Sequence, residues 1–510
     1  MLFVAVWKKG YRSTVRILYI DIDSLRADHL GCYGYHRNTS PNIDRIAAQG
    51  VRFDNLYVSD APCLPSRTAL WSGQTGFHTG VVNHGGAGAQ PLVYPPSRGF
   101  RDVMGTTGWM AMLRSVGIKT VTVSSFGDRH SAWHWYAGFN EIYNPGFGGL
   151  DNADQVIPVA LDWLDRRGRE DNWFLHVNLW DPHTPYSVPE IFGDPFKDQA
   201  LPTWLTEEIR LKSWHSYGPH SAQEPNGFGG EAVRATYRRN PDQLDSMTAV
   251  REWIDGYDTG ILYADTWLGQ LLDKLDSFNL LDETIIMIGA DHGENLGELN
   301  IWGDHQTADQ ITCRVPLIVR WPGLNGARVD ASLHYHFDWA ATLIELLGGR
   351  VPANWDGLSF AEAFGNQTEQ GRSYVVMSQG AWSCQRGVRF DHENEPYICL
   401  RTYHDGYKQL EPLMLYNLRI DPHEQNNLAA SRPDLVMVAM SRLEAWLAEM
   451  MVRSVFDVDP LMTVLREGGP HHTRGQLPAY LERLRVTGRA HYAERLAMLH
   501  PNEAGPNLAH

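Results

Sequence analysis

The sequence predicts an α/β fold with a large, mostly parallel sheet sandwiched by helices, followed by a smaller C-terminal α+β domain. Two continuous apolar runs, at residues 16–23 and 284–291, each end in acidic residues. Uninterrupted apolar strands are typical of parallel sheets that are covered on both faces. Predicted helices alternate with these strands, and such alternation indicates a parallel core sheet.

The other elements of this domain are predicted from local patterns. Further strands are expected at residues 119–123 and 173–178. Helices are expected at residues 41–49, 67–72, 108–116, 153–166 and 249–278. Ligands of such sheets bind beyond the carboxyl ends of the strands. Asp23 and Asp291 stand at two of those ends, so the sequence predicts a site that includes both.

A chain of 510 residues predicts more than one structural unit. A long insertion rich in proline and glycine, at residues 187–247, interrupts the first unit, and insertions of this length are often functional. Short alternating strands and a long helix at residues 432–451 indicate the second unit. One amphipathic helix, at residues 478–499, marks a C-terminal appendage, which is also a candidate surface for homo-oligomer contacts. The three units are expected at residues 1–370, 371–454 and 455–510.

The composition excludes several classes of protein. The formal net charge of −16, without an evident basic patch, argues against a nucleic acid partner. The chain has no run of 18 apolar residues, so no membrane span is expected. Residues 1–12 place their charges after a short apolar run, which is the reverse of a secretory signal. Because the five cysteines also lack CxxC spacing, we expect a cytoplasmic protein without a zinc site or disulfide framework.

One of the five cysteines lies in the motif CLPSR, at residues 63–67. Other motifs accompany it in order along the chain. They are DSLRADHLGCYG at residues 23–34, SPNID at 40–44, NLWDPHTPY at 178–186, DHGE at 291–294, and LYNL with DP at 415–422. With these motifs, the chain resembles the sulfatase family of the alkaline-phosphatase superfamily. The resemblance implies an alkaline-phosphatase-like catalytic domain that hydrolyses sulfuric esters.

The resemblance implies that Cys63 supplies the nucleophile after a formylglycine-generating enzyme has oxidised it to Cα-formylglycine. One hydroxyl of the hydrated aldehyde attacks sulfur and the other then expels sulfate, so that one difficult step becomes two. Arg67 would hold the formylglycine oxygens or the carboxylates that bind metal. A buried structural cysteine is the alternative role of Cys63, because free cysteines are usually of that kind.

The resemblance places Asp23, Asp291 and His292 at the ligand positions of one divalent metal ion. Carboxylate oxygens favour a hard cation. Calcium is therefore favoured, and manganese or magnesium would also suit this set. A cation offsets the cost of burying clustered acids, although ion pairing with Arg26 or Arg67 is an alternative explanation of the cluster.

One ligand position departs from the family pattern. Many sulfatases have two consecutive acids there, whereas Ser24 follows Asp23 in this chain. Asp21 lies two residues before Asp23 and on the same face of the predicted strand. Asp21 is therefore a candidate to replace the missing ligand.

Four residues are candidates to contact the transferred group. Relatives place an amide near the position of Asn83, although Asn83 also stands in a good turn sequence. His183 resembles the family histidine that contacts the transferred group. Most sulfatases have a Gly-Lys-x-His motif near residue 124, which this chain lacks, and Arg129 and His130 lie just downstream as candidate substitutes.

A second departure concerns the leaving group. Relatives have a Trp-x-Lys motif where this chain has Trp302-Gly303-Asp304-His305. A histidine with a pKa near 7 suits proton donation to a leaving alkoxide, so His305 is expected at the mouth of the pocket as a general acid. The alternative for His305 is a solvated loop residue. Loss of both lysines resembles the branch of phosphonate monoester hydrolases and promiscuous sulfatases.

These observations favour an enzyme that hydrolyses an anionic small-molecule or saccharide sulfate ester. The alternative within the superfamily is a phosphonate monoester or phosphodiester hydrolase with the same formylglycine nucleophile. A third hypothesis is a catalytically silent binding protein with this fold, and the intact motif at residues 63–67 argues against it.

Overall fold

Two large sheets and one short two-stranded sheet form the framework of the protein. The computed structural model describes residues 14–91, 103–229, 232–324, 326–454 and 458–504. Its strands are β1 (Arg16–Ile22), β2 (Val51–Tyr57), β3 (Asp60–Ala61), β4 (Lys119–Val123), β5 (Glu141–Tyr143), β6 (Trp173–Leu179), β7 (Thr284–Gly289), β8 (Asn295–Leu296), β9 (Trp302–Asp304), β10 (Leu317–Arg320), β11 (Arg328–Tyr335), β12 (Tyr374–Gln379), β13 (Cys384–His392), β14 (Glu395–His404) and β15 (Leu413–Asn417).

Helices surround these sheets. In the described residues the α-helices are α1 (Pro41–Ala47), α2 (Cys63–Ser72), α3 (Gly76–Thr79), α4 (Val103–Thr106), α5 (Trp109–Ser115), α6 (Phe126–Arg129), α7 (Ala153–Arg167), α8 (Glu207–Trp214), α9 (Met247–Ser277), α10 (Gln310–Cys313), α11 (His336–Leu346), α12 (Ala361–Asn366), α13 (Pro433–Arg453), α14 (Pro460–Arg466), α15 (Leu477–Val486) and α16 (Ala490–Leu499).

The first sheet has eight strands in the order β11-β2-β10-β7-β1-β6-β4-β5. All neighbouring strands run parallel except β10, which is antiparallel to both β2 and β7. Every residue of the central strands β1 and β7 is buried, as expected of strands that are covered on both faces. The predicted α/β class with a large, mostly parallel sheet is confirmed.

The register of the central strands brings two acidic chain segments together. Asp21 of β1 pairs with Asn178 of β6 on one side and with Gly289 of β7 on the other. Asp23 and Asp291 each lie two residues further along. Because the strands are parallel, both acids stand at the same edge of the sheet, where the sequence predicts the site.

The second sheet joins the C-terminal part of the chain to the segment that carries Cys63, the predicted nucleophile. Its order is β15-β14-β13-β12-β3. The strands β12 to β15 are antiparallel to their neighbours, and α13 packs on them as predicted. The short strand β3 pairs in parallel with β12, where Asp60 lies opposite Ser378. Only Pro62 separates β3 from Cys63, so α2 begins where the chain leaves this sheet.

The C-terminal appendage differs from the prediction of one amphipathic helix at residues 478–499. It has two helices, α15 and α16, which are separated by Gly488 with φ of +78°. Glycine adopts this left-handed conformation without steric cost. The N–H of Arg489 donates to the carbonyl of Leu484 at 2.7 Å, which ends the first helix. The chain therefore turns at Gly488, and the two helices share one apolar cluster.

The appendage and the long insertion form one packed unit. Their shared apolar cluster consists of Tyr217, Tyr407, Leu477, Tyr480, Leu481, Leu484, Ala493 and Leu496. Glu224 of the insertion is buried and accepts hydrogen bonds from Arg483 Nε and Arg489 Nη1, each at 3.0 Å. A buried carboxylate with two guanidinium partners is costly to separate from them, so these contacts fix the appendage against the insertion.

No helix of the described residues has the length and apolar character that a membrane crossing requires. Residues 1–12, which carry the prediction of a cytoplasmic location, lie outside the described residues. The location, the three domain boundaries and a homo-oligomer contact through the appendage stay predictions.

Candidate active site

The cysteine of the CLPSR motif is the first residue of α2, four residues before the helix start that the sequence predicts. Cys63 is fully buried, and its Sγ lies 3.1 Å from Nε2 of His292. Ser66 Oγ donates to the carbonyl of Asp291 at 2.6 Å and thereby ties the helix to the end of β7. Burial raises the pKa of the Cys63 thiol. Because the thiolate is the reactive form, the unmodified side chain is a weak nucleophile here.

Three predicted metal ligands surround Cys63. Asp23, Asp291, His292 and Cys63 each offer one ligand atom, and these four atoms all lie within 4.8 Å of one another. Nε2 of His292 is 3.3 Å from Asp291 Oδ2 and 3.7 Å from Asp23 Oδ1. All four side chains are at most 3% exposed. The structure thus brings these predicted residues together.

Arg67 holds the acids in place from the next turn of α2. Its Nε is 2.9 Å from Asp21 Oδ2, and its Nη1 is 3.1 Å from Asp23 Oδ2 and 2.5 Å from Asp291 Oδ2. Burial acts to raise the pKa of Asp23, but the positive charge of Arg67 outweighs burial and holds that pKa below its usual range. Burial raises the pKa of Asp291 to about 6, against the effect of Arg67 and with the added effect of the Asp23 charge.

The donor set and its charges fit a divalent cation. Three buried carboxylates face Arg67, and the next guanidinium is that of Arg129, whose Nη1 is 3.6 Å from Asp23 Oδ2. Two cationic side chains leave one buried negative charge unbalanced, which a bound cation would offset. His292 Nδ1 lies 2.9 Å from the carbonyl of Gly293. A proton on Nδ1 leaves the Nε2 lone pair free to bind metal.

Asp21 stands outside this four-residue group. Its Oδ2 lies 2.9 Å from Arg67 Nε and 3.4 Å from His176 Nε2, while its Oδ1 is buried without a hydrogen-bond partner in the described residues. The structure therefore shows Asp21 as an ion-pair partner of Arg67. Its role as a fourth ligand stays a prediction. Arg26 pairs with Asp28 and Glu298 and not with this cluster.

Arg129 and His183 form a second group of side chains close to Cys63. The guanidinium of Arg129 stacks on Trp180 at 4.1 Å, and its Nη2 lies 3.4 Å from His183 Nε2. His183 Nδ1 contacts the carbonyl of Thr184, so Nε2 is the atom that faces Arg129. Ring nitrogens of His183 and His305 lie within 4.8 Å of each other and of Cys63 Sγ. Both predicted histidines therefore lie close to Cys63.

His305 is buried against the site and does not lie at the mouth of the pocket. Its ring is 3.9 Å from that of His292, and its Nδ1 has no hydrogen-bond partner in the described residues. Burial and the neighbouring His292 lower the pKa of His305 well below its usual value. Asp304 lies between two histidines, with its Oδ2 2.9 Å from Nε2 of His220 and its Oδ1 3.5 Å from Nε2 of His305.

The turn after α3 places His84, rather than Asn83, beside the nucleophile. Ring nitrogens of His84 and His130 lie within 4.8 Å of each other and of Cys63 Sγ. Asn83 Oδ1 accepts the backbone N–H groups of His84 at 2.8 Å and of His471 at 3.3 Å. Asn83 therefore supports the loop in this structure, and its contact with substrate stays a prediction.

Several further residues of the site were missed by sequence reasoning. His84 could have been found, since it follows Asn83 in the same turn. His220 comes from the insertion, His472 from the appendage and Lys408 from the loop after β14, and no local motif marks them. Lys408 is 3% exposed and donates to the carbonyl of Pro219, and burial lowers the pKa of its amine to about 7.

Two family models match the chain. The model named Sulfatase matches residues 16–349, and the model for the C-terminal part of N-sulphoglucosamine sulphohydrolase matches residues 297–451. The N-acetylglucosamine-6-O-sulfatase of Bacteroides thetaiotaomicron is 22% identical over 467 residues, with 81% of this chain and 82% of the relative covered. An arylsulfatase of Clostridium perfringens is 24% identical, with 81% and 90% covered.

Solved structures have the same fold. A protein in complex with its substrate D-glucosamine-2-N,6-O-disulfate superposes with a TM-score of 0.66 at 19% identity, covering 88% of this chain and 99% of that chain. The phosphonate monoester hydrolase from Silicibacter pomeroyi gives 0.65 at 18% identity, covering 88% and 97%. The match at residues 16–349 covers more than half of the chain and contains the group around Cys63. The chain therefore belongs to the sulfatase family, whose members hydrolyse sulfate esters.

Proposed function

We propose that this sulfatase hydrolyses a sulfate monoester of a carbohydrate, with formylglycine at position 63 and one divalent cation. The buried group of Asp23, Asp291 and His292 around Cys63 carries the proposal. Two relatives from Bacteroides thetaiotaomicron support the substrate class, an N-acetylglucosamine-6-O-sulfatase and an N-acetylgalactosamine-6-O-sulfatase. Maturation by a formylglycine-generating enzyme, for which the CLPSR motif is intact, is part of the proposal.

The metal would be held by Asp23, Asp291 and His292. When bound, it supplies a positive charge that favours a deprotonated oxygen on residue 63. Arg67 keeps the two carboxylates oriented toward Cys63 through the contacts described above. Calcium is the proposed ion because carboxylate oxygens are hard donors, and manganese and magnesium are the alternatives.

The transferred sulfate would lie between residue 63 and a set of nitrogen donors. Nη2 of Arg67 and Nη1 of Arg129 are buried and have no hydrogen-bond partner among the described residues. Nε2 of His84 and of His130 are buried without partners too. Unpaired buried donors are costly, and sulfate oxygens would satisfy them. The cationic role of the missing family lysines would then fall to Arg129.

The substrate class can be tested with a panel of esters on one preparation. We expect kcat/KM for N-acetylglucosamine 6-sulfate and 4-nitrophenyl sulfate to exceed that for phosphodiesters and phenyl phosphonate esters by at least about tenfold, or about 1.4 kcal/mol. Phosphonate monoester hydrolases have the same fold. The alternative function, hydrolysis of phosphonate monoesters or phosphodiesters, predicts the reverse order of kcat/KM. If a preparation that contains formylglycine hydrolyses none of these esters, both the proposed function and the alternative function are contradicted.

His305→Ala should separate good from poor leaving groups. The ring of His305 lies in a buried group with Cys63, and its Nδ1 has no hydrogen-bond partner among the described residues. A bound anionic ester would favour the protonated form of this histidine, which can then deliver a proton to the bridging oxygen. A poor leaving group needs this proton and a good one does not, so kcat for sugar sulfates should fall by about 10²–10⁴-fold. Hydrolysis of 4-nitrophenyl sulfate should change much less.

The nitrophenyl ester serves as the internal control for correct folding of this variant. Equal losses on both substrates would mean that His305 binds the anion and does not act as the acid. Unchanged rates on both would exclude any catalytic role for His305.

A further inference from the structure

Two histidines from distant parts of the chain are hydrogen-bonded beside the nucleophile. Nδ1 of His84 lies 2.9 Å from Nε2 of His472, which is 388 residues away in sequence. The second nitrogen of His84, Nε2, is buried and has no partner among the described residues. His84 and His130 rings are 4.3 Å apart, and both offer a ring nitrogen within 4.8 Å of Cys63 Sγ. The free nitrogen of His84 is therefore available to a group that reacts at residue 63.

His472 comes from the segment beyond both family matches, which end at residues 349 and 451. Its backbone N–H donates to the carbonyl of Ala381 at 3.1 Å, and its ring stacks on Trp382 at 4.6 Å with an angle of 22° between the planes. Backbone and ring are thus both held, and the imidazole has a defined orientation toward His84.

The loop that carries His472 is also fixed to the turn of His84. Leu461 and Val464 of α14 pack against Val82. A Cβ atom on Gly85 would lie 2.1 Å from Nδ1 of His471, so a larger residue at position 85 would displace the His471 ring. The appendage is therefore built into the wall of the site.

The direction of the proton between the two rings decides what His84 can bind. Burial lowers the pKa of both His84 and His472, the latter to about 4, so both rings are neutral. A neutral imidazole has one N–H and one lone pair. If His84 Nδ1 donates to His472, then Nε2 presents a lone pair, which repels an anion. If His472 Nε2 donates to His84, then Nε2 of His84 carries the proton and can donate to a sulfate oxygen.

We propose that His472 is a positioning residue that donates its Nε2 proton to Nδ1 of His84 and so makes His84 Nε2 a hydrogen-bond donor to the sulfate group of the substrate. The inference rests on the proposed sulfatase function and identifies the sulfate group of the substrate as the partner of His84. It assigns to the C-terminal appendage a share in binding the anion.

The test compares three substitutions of His472 with one control substitution elsewhere in the appendage. Glutamine keeps an N–H donor, methionine has similar size without one, and glutamate can only accept. We expect His472→Met to lower kcat/KM by about 10–100-fold, the usual range for residues that orient a contacting group. The loss should be equal for sugar and nitrophenyl sulfates, because His84 contacts the sulfate and not the leaving group. His472→Gln should recover to within roughly fivefold of the wild type, and His472→Glu should not recover.

His491→Ala is the matched control, because His491 is an exposed histidine on α16 of the same appendage and away from the site. It should keep wild-type kinetics, and all four variants should keep the thermal midpoint of the wild type. Binding of inorganic sulfate, measured by calorimetry, should weaken in His472→Met by the same factor as KM rises. A methionine variant as active as the wild type, or a glutamate variant that matches glutamine, would overturn the inference.

The experiments give different results if the proposed function is wrong and if only the inference about His472 is wrong. A wild-type protein that hydrolyses no sulfate ester contradicts that function, while the sulfate titrations of wild type, His472→Met and His472→Gln still decide the role of His472. Unchanged sulfate affinity across these three proteins overturns the inference whatever their activity.

Discussion

Replacement of Cys63 by alanine is expected to abolish ester hydrolysis, with a loss in kcat of at least about 10²–10⁴-fold. In the proposed mechanism Cys63 supplies the attacking nucleophile, and Asp23, Asp291 and His292 of the same buried group are the proposed metal ligands. The same loss is expected on sugar and nitrophenyl sulfates, because no ester can react without the nucleophile.

The chemical state of residue 63 checks the cause of this loss. Peptide mass spectrometry of active wild-type protein should show an aldehyde about 18 Da lighter than the thiol, or its hydrate at about the thiol mass. Cys399→Ala is the control, because Cys399 is an equally buried cysteine in the core of the second sheet. Full activity in a protein whose Cys63 is an unmodified thiol would contradict the mechanism.

Loss of the metal is expected to have the second large effect. Asp291→Asn removes one ligand charge from the site, and the remaining set of Asp23 and His292 should no longer hold the cation at full occupancy. We expect kcat to fall by at least about 100-fold, since metal ligation of the nucleophile and charge stabilisation are lost together. Metal content per chain, measured by elemental analysis, should fall from one ion toward zero.

Asp21→Asn is the matched control for this variant. Asp21 contacts the same Arg67 but stands outside the four-residue group, so its asparagine variant should retain the ion. A variant that loses the ion would instead identify Asp21 as a ligand. Chelation should inactivate the wild type, and the cation that restores the rate best identifies the native metal. Chelation without effect on the rate would contradict the metal site.

The parts of the molecule that local sequence determines were predictable. The strands β1 and β7 are mostly apolar because both of their faces are buried, and this pattern is visible in sequence. Their acidic ends, at Asp23 and Asp291, could be assigned to one site because parallel strands place their carboxyl ends at one edge. Cys63 and Arg67 stand one helical turn apart in a short motif, so their joint role also needed no tertiary information.

The missed features depend on packing between distant segments. His472 reaches His84 only because α14 packs against Val82, and nothing in the sequence near either histidine indicates this. The prediction for His305 was wrong for the same reason. Its sequence position beside Asp304 suggested a loop at the mouth of the pocket, whereas in the structure His305 is buried against His292. The break at Gly488 was missed because one glycine can also occur within a helix.

The pairing of β3 with β12 has a consequence for the order of events during synthesis. In the folded protein Cys63 is 0% exposed, and the strand immediately before it is hydrogen-bonded to Gln379, which is made much later than the CLPSR motif. The proposed oxidation of Cys63 by another enzyme would require the motif as an accessible, unfolded peptide. That state exists while the C-terminal sheet is still being synthesised and ends when β12 takes its place beside β3. Under the proposed function, the chain would therefore have a limited time in which to acquire its nucleophile, and completion of the second sheet would end that time.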